Sequence, residues 1–181
     1  LKEADLDALI KKLSKAKALA LDTETDSLDF TVANLVGISL CAKAGEAAYI
    51  PIQHDYEGAP KQLTKKLVIE KLKPLLEKVP VVGQHIKFDR NVLAQHGLEI
   101  NNIASDSMLM SYVLDSTATR HNLDAMAKFY LNYETTTYEE VAGKGVKQIT
   151  FNQVDLEAGS DYAAEDADIT FRCYELLKDK L

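Results

Sequence analysis

LALDTETDSL, residues 19–28, is the stretch on which the reading of the whole chain turns. The small and apolar residues of AKALALDTET, residues 16–25, end in a polar cluster, which predicts a buried strand emerging into solvent. Side chains alternate along a strand, so Asp22 and Glu24 project from the same face. They stand at the strand's end, where open α/β sheets commonly place ligand sites. Two close carboxylates repel, and one tends to keep its proton, whereas a divalent cation favours both ionised forms. A Mg²⁺ or Mn²⁺ site follows. A D-x-E pair is also common in surface turns, so the pair alone does not decide the matter.

Working outward, Leu6, Leu9, Ile10 and Leu13 recur at helical spacing ahead of this strand. NLVGISLCAK (34–43) and EAAYIPI (46–52) are further strands, and the short link through Ala44 and Gly45 favours an antiparallel hairpin. From Leu63 the pattern changes: LTKKLVIEKLKPLLEK is helical, VPVVGQ is a short strand, and FDRNVLAQHG is a helix closed by Gly97. A short apolar element around Ile103 leads into the helical DSMLMSYVLD and NLDAMAKFYL, then into the loop GKGVKQITFNQ. A last helix is predicted from about Ser160 toward Leu177. Strands first, then strand and helix in alternation, gives an α/β fold with a mixed sheet; periodicity does not supply the strand order.

Two more segments carry chemistry. VVGQHIKFDRNVL (81–93) places Asp89 in the first turns of a helix that follows a strand and a Gly turn. A lone acid there is usually dipole compensation. Gln84, His85 and Lys87 lie on the turn, where they could face a phosphate or base, and Phe88 and Leu93 pack inside. In DYAAEDADIT (161–170), Tyr162 and Asp166 are spaced i, i+4 and share one helix face, a phenol beside an acid. Ala163, Ala164 and Ala167 leave the surface small enough for close approach to the sheet. Asp161, Glu165 and Asp168 point elsewhere on the wheel and are expected to be solvated.

Together these segments resemble the motifs of the four-carboxylate exonuclease superfamily: D-x-E on the first strand, a central Asp, and Y-x-x-x-D on the last helix. DTETDSL, AAYIP, VGQ, DR, RH, EE, AGKG, TFNQ and YAAEDAD are similar in order and spacing to the proofreading domains of bacterial family A DNA polymerases, over nearly the whole chain. The resemblance implies an RNase H-like mixed sheet flanked by helices, and hydrolysis of DNA from the 3′ end. By it, Asp22, Glu24 and Asp166 would bind one metal, Asp22 would bridge to a second held by Asp89, and Tyr162 would orient the attacking water. The two ions would be Mg²⁺ or Mn²⁺, with Zn²⁺ an alternative. Leu28, Tyr138 and Arg120 would contact the substrate strand, with Gln84 and His85 beside them. The substrate implied is a single-stranded or frayed 3′ DNA end, and the partner a polymerase domain in the same parent chain, the fragment itself being monomeric. His85 departs from the Asn common after the motif's Gln, and Phe88 from the Tyr common before the central Asp. An RNase D-like nuclease shares the acids, but the polymerase-like segments between the motifs argue against it. A non-catalytic domain is disfavoured because all four acids and Tyr162 are present.

Composition bounds the rest. The 181 residues fit one domain with one sizeable core, expected to span residues 1–181 as a piece excised from a longer chain, since it opens without Met. No run approaches the roughly 18 apolar residues of a membrane helix. Cys41 and Cys173 have no neighbour at zinc spacing, which fits a reducing, cytoplasmic compartment. His54, His96 and His121 likewise have no ligand spacing and are expected to be structural. A net charge of −7 argues against a free-standing DNA-binding protein built on clustered Lys and Arg, so contact with nucleic acid must be local or metal-assisted. Lys144 and Lys147 in the GKG loop offer one such contact.

Overall fold

The computed structural model describes residues 2–181. Helix α1 (Glu3–Leu13) buries Leu6 and Leu13 and hands the chain to β1 (Leu19–Thr25). Strands β2 (Leu35–Cys41) and β3 (Ala47–Pro51) form the expected hairpin, with Gly45 at φ +80° in the connecting turn, a conformation that strains any residue with a Cβ. Helix α2 (Lys65–Lys78) starts at Thr64, whose hydroxyl accepts from the Leu67 amide. After it come β4 (Val81–Gly83), α3 (Ile86–Gln95), β5 (Ile103–Asp106), α4 (Ser107–Leu114), α5 (Leu123–Leu131), α6 (Tyr138–Ala142) and α7 (Leu156–Lys178). Two single 3₁₀ turns, Gly145–Lys147 and Phe151–Gln153, break up the stretch predicted as loop.

The five strands lie in the order β3-β2-β1-β4-β5. β1 pairs antiparallel with β2 and parallel with β4, and β4 pairs parallel with β5, so β1 is the central strand. The alternation of β1 divides the core. Leu19 and Leu21 face a layer with Ile38, Leu40, Ile50 and Val81 beneath α1, α2 and α3, while Ala20 faces the other way with Cys41, Val82, Ala167 and Phe171 beneath α7. Asp22 and Glu24 continue the second face.

Three expectations change. Helix α7 begins at Leu156, a turn before Ser160: the Asp155 carboxylate accepts from the amides of Glu157 and Ala158 and caps it. Gly159 is buried inside the helix, where an added Cβ would stand 3.3 Å from Phe151 and 3.4 Å from His54. Its lack of a side chain sets the approach distance. Glu165 and Asp168 are half-buried and hold specific partners instead of standing free in solvent. Glu165 accepts from the Thr136 amide (2.6 Å) and the Tyr133 hydroxyl (2.8 Å), holding the segment that leads into α6. Asp168 accepts from the Gly45 amide (2.7 Å) and Arg172 Nε (3.0 Å), fastening the β2–β3 turn to α7.

Candidate active site

Asp22 and Glu24 end the central strand, and α7 crosses above them through the small, fully buried Ala163 and Ala167, which lets Asp166 come down beside the pair. Each of the three carboxylates offers an oxygen within 4.8 Å of the others. Asp89 reaches the cluster from the layer beneath. It is buried at 2% exposure, and its Oδ1 accepts from the Thr23 amide (2.9 Å) and the Thr23 hydroxyl (2.6 Å). It lies in the first turn of α3, but its side-chain hydrogen bonds run across to β1. Thr23, lying between the two strand acids and pointing to the opposite face, fixes Asp89 against β1, and nothing but its place between two acids hints at this in the sequence.

Charge accumulates here. Burial raises Asp22 well above the usual carboxylate range, and the charge of Asp166 adds to it. Glu24 is raised by burial and then by Asp22, Asp166 and Asp89. Burial and Asp22 raise Asp89, against the pull of its Thr23 hydrogen bonds. Asp166 is pushed up to about 8 by burial, then by Asp124 and Glu165. Among the described residues none of these four acids is in a salt bridge. A largely buried set of oxygen donors, with no salt-bridged cation among the described residues, suits a hard divalent ion, which would supply the positive charge.

The wall opposite is aromatic. Tyr162, half-buried on α7, packs against Phe151 (centroids 5.9 Å apart) and Tyr138 (6.1 Å), and Tyr138 stacks on Phe151 at 6.5 Å with its hydroxyl donating to the Ile149 carbonyl. Burial, and next the charge of Asp166, drives the Tyr162 phenol far above its ordinary pKa, so its hydroxyl stays a hydrogen-bond donor. Behind this wall His54 Nδ1 donates to the Val154 carbonyl (3.1 Å), which leaves Nε2 to accept from the Tyr49 hydroxyl (2.8 Å). Burial lowers His54 and keeps it neutral, as that arrangement requires. A Cβ at Gly37 would overlap the Tyr49 hydroxyl, so this glycine makes room for the ring.

The remaining candidates are dispersed around the acids. Leu28 is 96% exposed at the tip of a loop closed by Asp26, which accepts from the Asn34 amide and side chain. His85 is exposed in the left-handed region at φ +54°, which explains why Asn is at home there, as both residue types tolerate it. The Asp106 carboxylate accepts from the amides of His85 and Ile86, fixing that turn. Gln84 points inward: its Nε2 donates to the His121 carbonyl (2.8 Å) and its Oε1 accepts from the Ser107 hydroxyl (2.6 Å). Arg120 is exposed and adjoins His121, a buried residue held by Ser111 and Ser116. His96, between Lys65 and the Ala33 carbonyl, is structural as well.

The family model described as 3′-5′ exonuclease matches residues 1–181. The chain is 50% identical over its whole length to DNA polymerase I of Pseudomonas aeruginosa and spans 20% of that protein. It is 38% identical to DNA polymerase I of Borreliella burgdorferi over 98% of its length, and so spans about a fifth of the curated relatives it matches. Among solved structures, Brucella melitensis NrnC with bound Mg²⁺ superposes at a TM-score of 0.67, with 21% identity, over 93% of this chain and 75% of that one. These likenesses place the sheet and its helices in the RNase H-like exonuclease class.

Proposed function

Because the chain belongs to the 3′-5′ exonuclease domain family of DNA polymerase I, we propose that it hydrolyses DNA from the 3′ end to nucleoside 5′-monophosphates, proofreading for a polymerase domain in the same parent chain. Its substrate is a single-stranded or frayed 3′ end, and its place the bacterial cytoplasm. The observation that supports this best is the convergence of Asp22, Glu24 and Asp166 within 4.8 Å, with no cationic side chain among them.

These three carboxylates would hold one divalent ion, and Asp22 and Asp89 would hold a second; Mg²⁺ and Mn²⁺ suit the all-oxygen set best. When bound, such ions supply charge that stabilises the attacking and leaving oxygens of an in-line displacement at phosphorus. The protein's own groups do the rest. Glu24 and Asp166, both raised by burial and neighbouring charge, would be favoured in their ionised forms by the charge of a bound cation. Tyr162, still protonated, offers its Oη hydrogen to fix the orientation of a water beside Asp166. Tyr138 and the exposed Leu28 pack against the last nucleotides, and Arg120 and His85 approach the backbone from the side of α3. Stacking and phosphate contacts read no base edges, so cleavage is largely independent of sequence.

The test is to incubate the protein with DNA and RNA oligonucleotides labelled at the 3′ or the 5′ end, with Mg²⁺ or with chelator. The expected result is early release of the 3′ label from DNA in Mg²⁺ only. Preference for RNA would move the reading to an RNase D-like nuclease, and full cleavage in excess chelator would overturn the metal mechanism.

A further inference from the structure

Ser39 is fully buried, and its hydroxyl is the one buried side-chain oxygen or nitrogen without a hydrogen-bond partner among the described residues. Its position on β2 gives that isolation a meaning. In the antiparallel register Ser39 stands directly opposite Asp22 on one side and Tyr49 on the other, so all three side chains project from the face beneath α7. The helix above offers the methyl groups of Ala163 and Ala167, which pack around Tyr49 and Cys41. The Tyr49 hydroxyl is committed to His54 at 2.8 Å. The acceptor left on this row of the sheet is the Asp22 carboxylate.

Asp22 and Glu24 stand at the end of β1 on this same face, with an Asp22 oxygen within 4.8 Å of the oxygens offered by Glu24 and Asp166. A carboxylate has about four lone-pair sites, so an Asp22 oxygen that holds a cation can still accept a hydrogen bond. Directly opposed residues of an antiparallel pair have Cβ atoms about 4.5–5.5 Å apart, within reach of a short hydroxyl, and a serine hydroxyl rotates freely to find its acceptor. We propose that Ser39 is a positioning residue for Asp22: its hydroxyl donates to the Asp22 carboxylate when a cation is held, and fixes that carboxylate's orientation. The inference rests on the reading of Asp22 as a metal ligand and gives the orphaned hydroxyl its partner.

Calorimetric titration with Mn²⁺ and thermal melting in chelator test it together. Ser39→Ala should weaken Mn²⁺ binding roughly 10-fold to 100-fold, the range for a hydrogen bond to a charged group. In chelator the same variant should melt at or above the parent, because the hydroxyl it loses has no partner there. Ser39→Cys, similar in size but a poor donor, should follow Ser39→Ala in its Mn²⁺ affinity and so separate the hydrogen bond from packing. Parental affinity in both variants, or a Ser39→Ala protein that melts as far below the parent in chelator as in Mn²⁺, would overturn the proposal. Asp22→Asn serves as the control: if it binds Mn²⁺ as the parent does, the metal reading itself fails, whatever Ser39 does.

Discussion

On the proposed reading, the acids that would hold the metal also make its binding depend on pH, and the size of the effect follows from Asp166. Its carboxyl is pushed up to about 8 by burial and neighbouring charge. A carboxyl raised in the fold contributes stability that is fully present below its unfolded pKa of about 4 and is lost as pH rises through the folded value. The metal-free protein therefore loses that contribution between about pH 4 and pH 8, and a cation must displace the proton wherever it is still bound. One such group with a pKa of about 8 weakens apparent metal affinity about 50-fold between pH 8 and pH 6, and Asp22 and Glu24, raised as well, steepen the fall. Metal at about 100 times Kd at pH 8 adds about 2.7 kcal/mol; at pH 6 the same concentration is only about twice Kd and adds about 0.7 kcal/mol. For a chain of this size that is a rise in Tm of about 5–11 °C at pH 8 against about 1–3 °C at pH 6. The assay is thermal melting at the two pH values, each in chelator and in Mn²⁺. Neutral, buried His54 contributes with the opposite sign, its share being lost as pH falls below about 6.5, but it enters both arms and cancels in the difference. An equal metal-induced rise at pH 6 and pH 8 would refute the reasoning.

Tyr162→Phe should slow turnover roughly 10-fold to 1000-fold, the range for a general catalytic group, and leave Mn²⁺ affinity by calorimetry near the parent's, since in the proposed mechanism the hydroxyl orients and does not ligate. Asp89→Asn should melt at or above the parent in chelator, because the amide oxygen still accepts from Thr23 while a like charge is gone; Asp89→Ala should melt lower than Asp89→Asn by the about 1–3 kcal/mol of an unsatisfied buried donor, and both should lose cleavage. Gly37→Ala should lower Tm by about 2–12 °C, the overpacking range for a chain of this size, as the new methyl displaces the Tyr49 ring and its bond to His54, read by melting in chelator.

The sequence carried the fold where the signal is local and concealed it where the partner is distant. The β2–β3 hairpin is legible in the link through Ala44 and Gly45, whereas the parallel pairing of β1 with β4 leaves no local mark, so the strand order had to come from the structure. Asp89 reads in isolation as helix-dipole compensation because Thr23, the residue that holds it, lies 66 positions away. The place of Gln84 on a turn suggests a side chain free for substrate, yet both ends of its amide are used inside the molecule. Glu165 and Asp168 fall off the helix face shared by Tyr162 and Asp166, which suggests solvent; the backbone amides they accept from, on Thr136 and Gly45, are invisible to a helical wheel. Strand alternation pairs Asp22 with Glu24 and helical spacing pairs Tyr162 with Asp166, but only the family resemblance joins Asp166 to the strand acids, beside which the structure places it.

The close passage of α7 over the sheet has a consequence for how this site can be mapped by mutagenesis. Ala163 and Ala167, fully buried, flank Asp166 and govern how near it comes to Asp22 and Glu24. An alanine scan passes over both positions in silence, since each already carries the residue the scan installs. Only enlargement exposes them: a Val or Leu there lifts the helix, and a misplacement of about 1 Å is enough to lower a rate about 100-fold. A survey that ranks positions by what truncation removes would credit the site wholly to its acids and its tyrosine, and would miss the two methyl groups that determine their separation.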